Sequence, residues 1–165
     1  MERILVCSDI HRYKDNFWEA YQRCAPVDRI IISGDIEDYP ENYYAMAQMT
    51  PLVMVQGNCD YYLGNELPSV AEFDLEGRHF FVTHGHLFQV GSGKPKALLA
   101  AARKAKANIV IFGHSHQALY QTWDGICFIN PGALRGSPSS GACSYAILTL
   151  DKDNPEIKVD FFHLN

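Results

Sequence analysis

The sequence predicts an α/β fold of two sheets packed face to face with helices outside, and three observations carry that prediction. Short apolar runs rich in β-branched residues recur along the chain, helix-like stretches separate the earlier ones, and after Phe112 the helix-like stretches stop while the strand-like runs continue.

Each element follows from its local pattern. Ile4–Val6, Ile30–Ile32, Leu52–Val55, Phe80–Val82 and Ile109–Phe112 read as buried strands, because a run with no polar alternation has both faces covered. Asp15–Cys24, Glu41–Met49 and the Ala/Lys/Leu-rich Lys96–Ala107 read as helices, and the resulting alternation predicts a mainly parallel sheet. From Val70 to Val82 two strand-like runs flank Glu76-Gly77, a dipeptide suited to a tight hairpin turn. Ala118–Trp123, Ile126–Ile129, Ser144–Leu150 and Ile157–Phe162 read as antiparallel strands joined at Asp124-Gly125, Pro131-Gly132 and Asp151–Pro155, which predicts a second sheet. Gly136–Gly141 reads as an exposed loop, and no internal repeat or linker is visible.

Composition narrows the functional classes. At 165 residues the chain is expected to form one domain spanning 1–165, and 47% hydrophobic residues give it material for a core. A net charge of -5 and a pI near 5.7 argue against general nucleic-acid binding or membrane-surface binding, which call for a basic face. The opening apolar run is too short for a signal peptide or a membrane span. Cys7, Cys24, Cys59, Cys127 and Cys143 are odd in number and widely spaced, so neither a disulfide framework nor a CxxC zinc site fits, and a reducing cytoplasm is the expected setting.

Residues able to bind metals follow the predicted strands. Asp9 and His11 come after the first, Asp35 after the second, Asn58 after the third, His84 after Phe80–Val82, and His114 with His116 after Ile109–Phe112. The carboxyl ends of parallel strands face one crevice, so residues at such positions can converge across long sequence separations. A single histidine or aspartate after a strand is most often a cap or a turn residue. Here five of the seven histidines, His11, His84, His86, His114 and His116, fall in three tight clusters, whereas His79 and His163 lie within strand-like stretches and read as structural. Carboxylate, imidazole and amide oxygen together suit Mn²⁺, Fe²⁺, Zn²⁺, Ni²⁺ or Co²⁺. Seven ligands exceed one tetrahedral site, whereas two ions sharing a carboxylate would use them all.

Taken together, Asp9-Ile10-His11, Gly34-Asp35, Gly57-Asn58-Cys59-Asp60, His84-Gly85-His86 and Gly113-His114-Ser115-His116 resemble the motif set of the calcineurin-like metallophosphoesterase superfamily, particularly its small YfcE-type phosphodiesterases. The resemblance spans about residues 4 to 135. It implies a four-layer α/β/β/α sandwich with two mixed sheets packed face to face, and hydrolysis of a small phosphodiester by a hydroxide bridging two divalent ions, Mn²⁺ foremost. It also implies that Asp9, His11, Asp35 and His116 hold one ion, that Asp35, Asn58, His84 and His114 hold the other, and that Asp35 bridges.

Many members of the superfamily carry histidine where this chain has Cys59; the YfcE-type branch also lacks it. Leaving-group assistance then falls to the metals, a water or His86, which implies modest rates and a preference for good leaving groups. Asn58, Cys59 and His86 are the expected substrate contacts, with Asp35, Asn58 and His86 serving the chemistry. His86 could alternatively orient His84. Arg12 and Tyr13 could line the cleft, and the aromatic loops Tyr39–Tyr44 and Tyr61–Asn65 could stack on a base, although loop tyrosines more often pack.

Rival readings have weaker support. Gly93-Lys94 fails as a phosphate-binding loop, since Phe88 stands at the first glycine position and Pro95 at that of the hydroxyl. Gly113–Gln117 fails as a nucleophile elbow for want of a closing glycine. A phosphomonoesterase, or a catalytically weak protein-binding scaffold like the small retromer subunit, shares the resemblance; a metal-independent serine or cysteine hydrolase does not. A homo-oligomer is left open.

Overall fold

A computed structural model describes residues 1–136 and 143–164. Among these are ten strands: β1 (Glu2–Cys7), β2 (Arg29–Ile32), β3 (Leu52–Met54), β4 (Val70–Leu75), β5 (Arg78–Thr83), β6 (Ile109–Ile111), β7 (Leu119–Trp123), β8 (Ile126–Asn130), β9 (Ser144–Asp151) and β10 (Asn154–His163). Three helices accompany them, α1 (Lys14–Cys24), α2 (Pro40–Ala47) and α3 (Lys96–Lys104). Of the expected loop Gly136–Gly141, only Gly136 lies within the described residues.

The strands form two five-stranded sheets, in the orders β10-β9-β1-β2-β3 and β4-β5-β6-β8-β7. Period-two alternation decides what each strand face covers. Ile4 and Val6 on one face of β1 join Ile31, Ala146 and Leu148 against Phe80, Val82, Ile109, Ile111 and Ile129 of the other sheet, making the core between the sheets. Leu5 and Cys7, on the opposite face, pack with Ile30 and Ile32 against Phe17 and Ala20 of α1 and Tyr43 and Ala47 of α2. Phe81, Val110 and Phe128 turn outward onto Leu98, Leu99 and Ala102 of α3. The layers are therefore helix, sheet, sheet, helix.

The later strands do not form a separate antiparallel sheet. β8 runs parallel to β6, with Val110 opposite Phe128, while β9 runs antiparallel to β1, with Leu5 opposite Ile147. Both sheets are consequently mixed. Ile126–Asn130 is buried throughout, as a strand with neighbours on both edges and both faces should be. Two helices stop short of their expected ends. Gln48 turns left-handed after α2, and Lys106 does so just beyond α3, at φ 57° in each case.

Candidate metal centre

Parallel register brings the polar loops to one rim. Cys7 pairs with Ile32 and Ile32 with Met54, so the segments carrying Asp9, Asp35 and Asn58 leave neighbouring strand ends on the same side. In the other sheet Val82 pairs with Ile111, which places the His84 and His114 segments side by side. Backbone bonds continue past the strands, from Asp9 N–H to Gly34 O (3.0 Å), His11 N–H to Asp35 O (2.9 Å) and Gly113 N–H to His84 O (2.9 Å). The glycines preceding Asn58 and His114 are needed for close approach. A Cβ on Gly57 would collide with Asp35 Oδ1, and one on Gly113 with Ser8 Oγ.

These loops are also strained. Asp9, His11, Asp35, Glu37, His114 and His116 all take left-handed φ values between 47° and 70°. Aspartate and histidine tolerate this region better than most residues, yet each instance costs on the order of 1–3 kcal/mol and persists only where its surroundings enforce it. Such concentration at one rim marks a site built for positioning.

The side chains converge on two carboxylate oxygens. Asp9 Oδ1 lies 3.1 Å from His116 Nε2, 3.6 Å from His11 Nε2 and 3.8 Å from His84 Nε2. Asp35 Oδ2 lies 3.1 Å from His84 Nε2 and 3.8 Å from His11 Nε2. The His114 ring stands 5.2 Å from that of His84, and its backbone N–H donates to Asp9 Oδ2 at 3.1 Å. Asn58 is exposed on the adjoining loop, where the N–H of Cys59 donates to Asp35 Oδ1 at 2.8 Å. His86 sits farther out, its ring 5.4 Å from His84 and 6.4 Å from His114.

Tautomers follow from the outer partners. His84 Nδ1–H donates to Ser33 O at 2.8 Å, and His11 Nδ1–H donates to Glu37 Oε1 at 2.7 Å. In neutral rings both Nε2 atoms then present bare lone pairs to carboxylate oxygens. Asp9 Oδ1, His11 Nε2 and His84 Nε2 are buried and have no hydrogen-bond partner. Lone pair facing lone pair is repulsive unless a cation intervenes, and burial without a partner is costly. A divalent cation fits this donor set, and Asp9, His11 and His116, or Asp9, Asp35 and His84, are grouped closely enough to hold one.

Protonation tells the same story. Burial pushes the Asp9 carboxyl up, but the facing imidazoles of His11, His116 and His84, with the Ser8 hydroxyl, outweigh it and hold it well below the usual carboxylate range. Burial likewise opposes ionisation of Asp35, and His84 overcomes it. The facing Asp9 carboxylate, reinforced by Glu37, lifts His11 to about 9. His84 is also raised, its burial outweighed by Asp35 and Asp9. The carboxylates thus demand positive charge, and protons supply it when no metal is bound. His86 and His114 are lowered, first by burial and then by His84. Cys59 is pushed up to about 12 by burial and by Asp35 and Glu37.

Three supporting residues carry no role in the sequence reading. Glu37 fixes His11 and pairs with Arg12 Nε at 3.1 Å. Asp60 accepts the N–H groups of Asp35, Gly57 and Glu37 at 2.8, 2.8 and 2.9 Å. Asn130 is fully buried and donates to Gly113 O (3.2 Å) and Ser115 Oγ (3.0 Å), clamping the loop that bears His114 and His116. Asn130 falls between the Ile126–Ile129 run and Pro131-Gly132 with no pattern to mark it, and Glu37 offers only its place two residues after Asp35. The partner of His84 Nδ1 is a backbone carbonyl, not His86. Arg12 and Tyr13 do line an open cleft, with His11 and Glu37.

An α/β/β/α sandwich whose strand-end loops gather carboxylates and imidazoles about one point defines a metal-dependent hydrolase class. The sequence profile of the calcineurin-like phosphoesterase superfamily domain matches residues 2–153, and the chain belongs to that superfamily. It is 34% identical to the probable metallophosphoesterase YsnB of Bacillus subtilis, over 67% of this chain and 63% of that protein. It is 29% identical to phosphodiesterase YfcE of Escherichia coli K12, over 61% of this chain and 53% of that protein. Among solved structures, a predicted phosphoesterase from Streptococcus pneumoniae TIGR4 superposes with a TM-score of 0.80 at 29% identity, covering 98% of this chain and 89% of that one. Vacuolar Protein Sorting 29 from Cryptosporidium parvum shares the fold, with a TM-score of 0.72 at 17% identity over 98% of both chains.

Proposed function

We propose that this protein is a metal-dependent phosphodiesterase using two divalent ions, Mn²⁺ foremost, held by Asp9, His11, Asp35, Asn58, His84, His114 and His116, with Asp35 shared. One observation carries the reading: buried Asp9 Oδ1, His11 Nε2 and His84 Nε2 lack hydrogen-bond partners, with His11 Nε2 3.6 Å and His84 Nε2 3.8 Å from Asp9 Oδ1. Bound there, the ions supply Lewis acidity, lowering the pKa of the attacking water and neutralising charge on the phosphoryl oxygens.

The chain's own residues do the remaining work. Ser33 O and Glu37 keep His84 and His11 in the tautomer that presents Nε2 inward. Asp60 and Asn130 hold the loops, so little reorganisation is left for substrate binding to drive. Exposed Asn58 offers its carboxamide at the rim, and His86, held toward its neutral form by burial, can accept a proton or contact the ester. Cys59 stays a thiol at neutral pH, which argues against a cysteine nucleophile. Without an acid at that position, good leaving groups are favoured. Likeness to phosphodiesterase YfcE supports a diester over a monoester. Five free cysteines support a cytoplasmic setting.

The test is hydrolysis of bis-p-nitrophenyl phosphate and p-nitrophenyl phosphate with Mn²⁺, before and after chelation. Faster diester hydrolysis that chelation abolishes is expected. Turnover indifferent to chelators would remove the proposal, and no turnover with metal bound would favour a protein-contact scaffold.

A further inference from the structure

A second donor group adjoins the first and shares His11 with it. A ring nitrogen of His11, a carboxylate oxygen of Glu37 and Cys59 Sγ all lie within 4.8 Å of one another. Glu37 Oε1 is 2.7 Å from His11 Nδ1, the nitrogen turned away from Asp9 and Asp35. The two acidic partners ride on anchored backbone. Glu37 N–H donates to Asp60 Oδ1 at 2.9 Å, and Cys59 N–H donates to Asp35 Oδ1 at 2.8 Å. Among the described residues Cys59 is the half-buried cysteine, whereas Cys7, Cys24, Cys127 and Cys143 are buried. The group opens onto the cleft lined by His11, Arg12, Tyr13 and Glu37, so a cation has a way in.

We infer that His11, Glu37 and Cys59 form a separate site for a soft or borderline divalent cation such as Cd²⁺ or Zn²⁺, and that this site competes with the catalytic centre for His11. Donor chemistry supports the difference in selectivity. The inner group offers carboxylate and imidazole, which suit Mn²⁺, whereas a sulfur ligand favours softer ions. As the sulfur–metal bond forms, the Cys59 thiol releases its proton to solvent, and nothing is oxidised or reduced. A neutral imidazole has one lone-pair nitrogen. To ligate through Nδ1, His11 must release its Nδ1 proton to solvent and carry a proton on Nε2, which can then donate to Asp9 or Asp35 but cannot bind an ion held by them. Glu37 changes role with the ion: it accepts the Nδ1 proton in one state and binds the cation in the other, leaving Arg12 to solvent. The competition, though not the sulfur site itself, rests on the assignment of His11 Nε2 to the two-ion centre.

The test titrates the metal-free, full-length chain with Cd²⁺ and follows the ultraviolet thiolate-to-cadmium charge-transfer band. A saturable band is expected in the wild type and none in Cys59→Ser, with far-ultraviolet circular dichroism showing both folded. Glu37→Gln should weaken the apparent Cd²⁺ affinity about tenfold or more. No band in the wild type, a band retained in Cys59→Ser, or an unchanged affinity in Glu37→Gln would each overturn the site. Prior saturation with Mn²⁺ should move the Cd²⁺ midpoint upward, and an unmoved midpoint would overturn the sharing of His11. None of these readings depends on turnover, so failure of the hydrolysis assay leaves them standing.

Discussion

Asp60 accepts the backbone N–H of Asp35 through Oδ2 at 2.8 Å, and the same oxygen accepts Gly57 N–H at 2.8 Å. One buried carboxylate thereby ties the second polar loop to the third. Burial pushes its pKa up, and the N–H donors of Glu37, Gly57 and Asp35 oppose that rise. In Asp60→Asn the amide NH₂ would face one or more of these donors, leaving buried N–H groups unpaired. We expect a loss of about 2–4 kcal/mol of stability, read from the urea midpoint at constant slope. A change within a few tenths would refute the clamp.

Glu37→Gln separates positioning from folding. The amide can still accept the His11 Nδ1 proton but without charge assistance, and Glu37 is partly exposed, so the cost to the fold is small. Mn²⁺ affinity should fall by about 10- to 100-fold, measured by calorimetry, while the urea midpoint barely moves. The opposite pattern would make Glu37 a structural residue.

The residues facing the centre were legible in the sequence because their chemistry is local. Carboxylates and imidazoles placed after β-branched runs, beside glycines that permit close approach, are visible without a structure. Glu37 and Asn130 were not, because their partners lie 26 and 15–17 residues away and an isolated glutamate or asparagine carries no pattern. The layer order was readable from the runs, but sheet partition was not. Ile126–Asn130 could add to any sheet, and its parallel pairing to β6 depends on which edge lies open after the earlier strands assemble. Helix ends at Ala47 and Lys104 escaped because the positive-φ residues that follow them, Gln48 and Lys106, are ordinary residues in place of glycine.

Asp35→Asn should be the most damaging single change at the centre. It removes the proposed bridging charge and, if the amide nitrogen faces the Cys59 N–H, a buried acceptor. Mn²⁺ stoichiometry should drop from two to one or none, and diester hydrolysis by at least about a hundredfold, since a ligand costs more than its outer partners. Two ions still bound to Asp35→Asn would displace Asp35 from the bridging role.

His79 gives a pH prediction remote from the centre. On the β4–β5 hairpin its Nε2 lies 2.9 Å from Glu72 Oε1 and its Nδ1 2.7 Å from Asp74 Oδ1, and hydrogen bonds to Glu72 and then Asp74 raise its pKa above the ordinary 6.5. A raised folded-state pKa means the protonated ring stabilises the fold. That contribution is complete below 6.5 and disappears as pH climbs through the folded value. Its size is small because the partners are exposed. Nuclear magnetic resonance titration should show His79 above 6.5 in the wild type and shifted downward in Glu72→Gln. An unshifted value would show that the ion pair does not form.

Metal should stabilise the fold as well as activate it. The protons that His11 and His84 hold in the metal-free protein only partly offset three buried atoms without partners, so an ion satisfying them binds the native state far better than the unfolded chain. At a free Mn²⁺ concentration a hundred times Kd the linkage amounts to about 2.7 kcal/mol per site. For a chain of this length each such increment raises Tm by roughly 5–11 °C. Scanning calorimetry with and without Mn²⁺, and again after chelation, measures the shift. A Tm that ignores the metal, in a protein shown to bind it, would place the ion outside the buried centre.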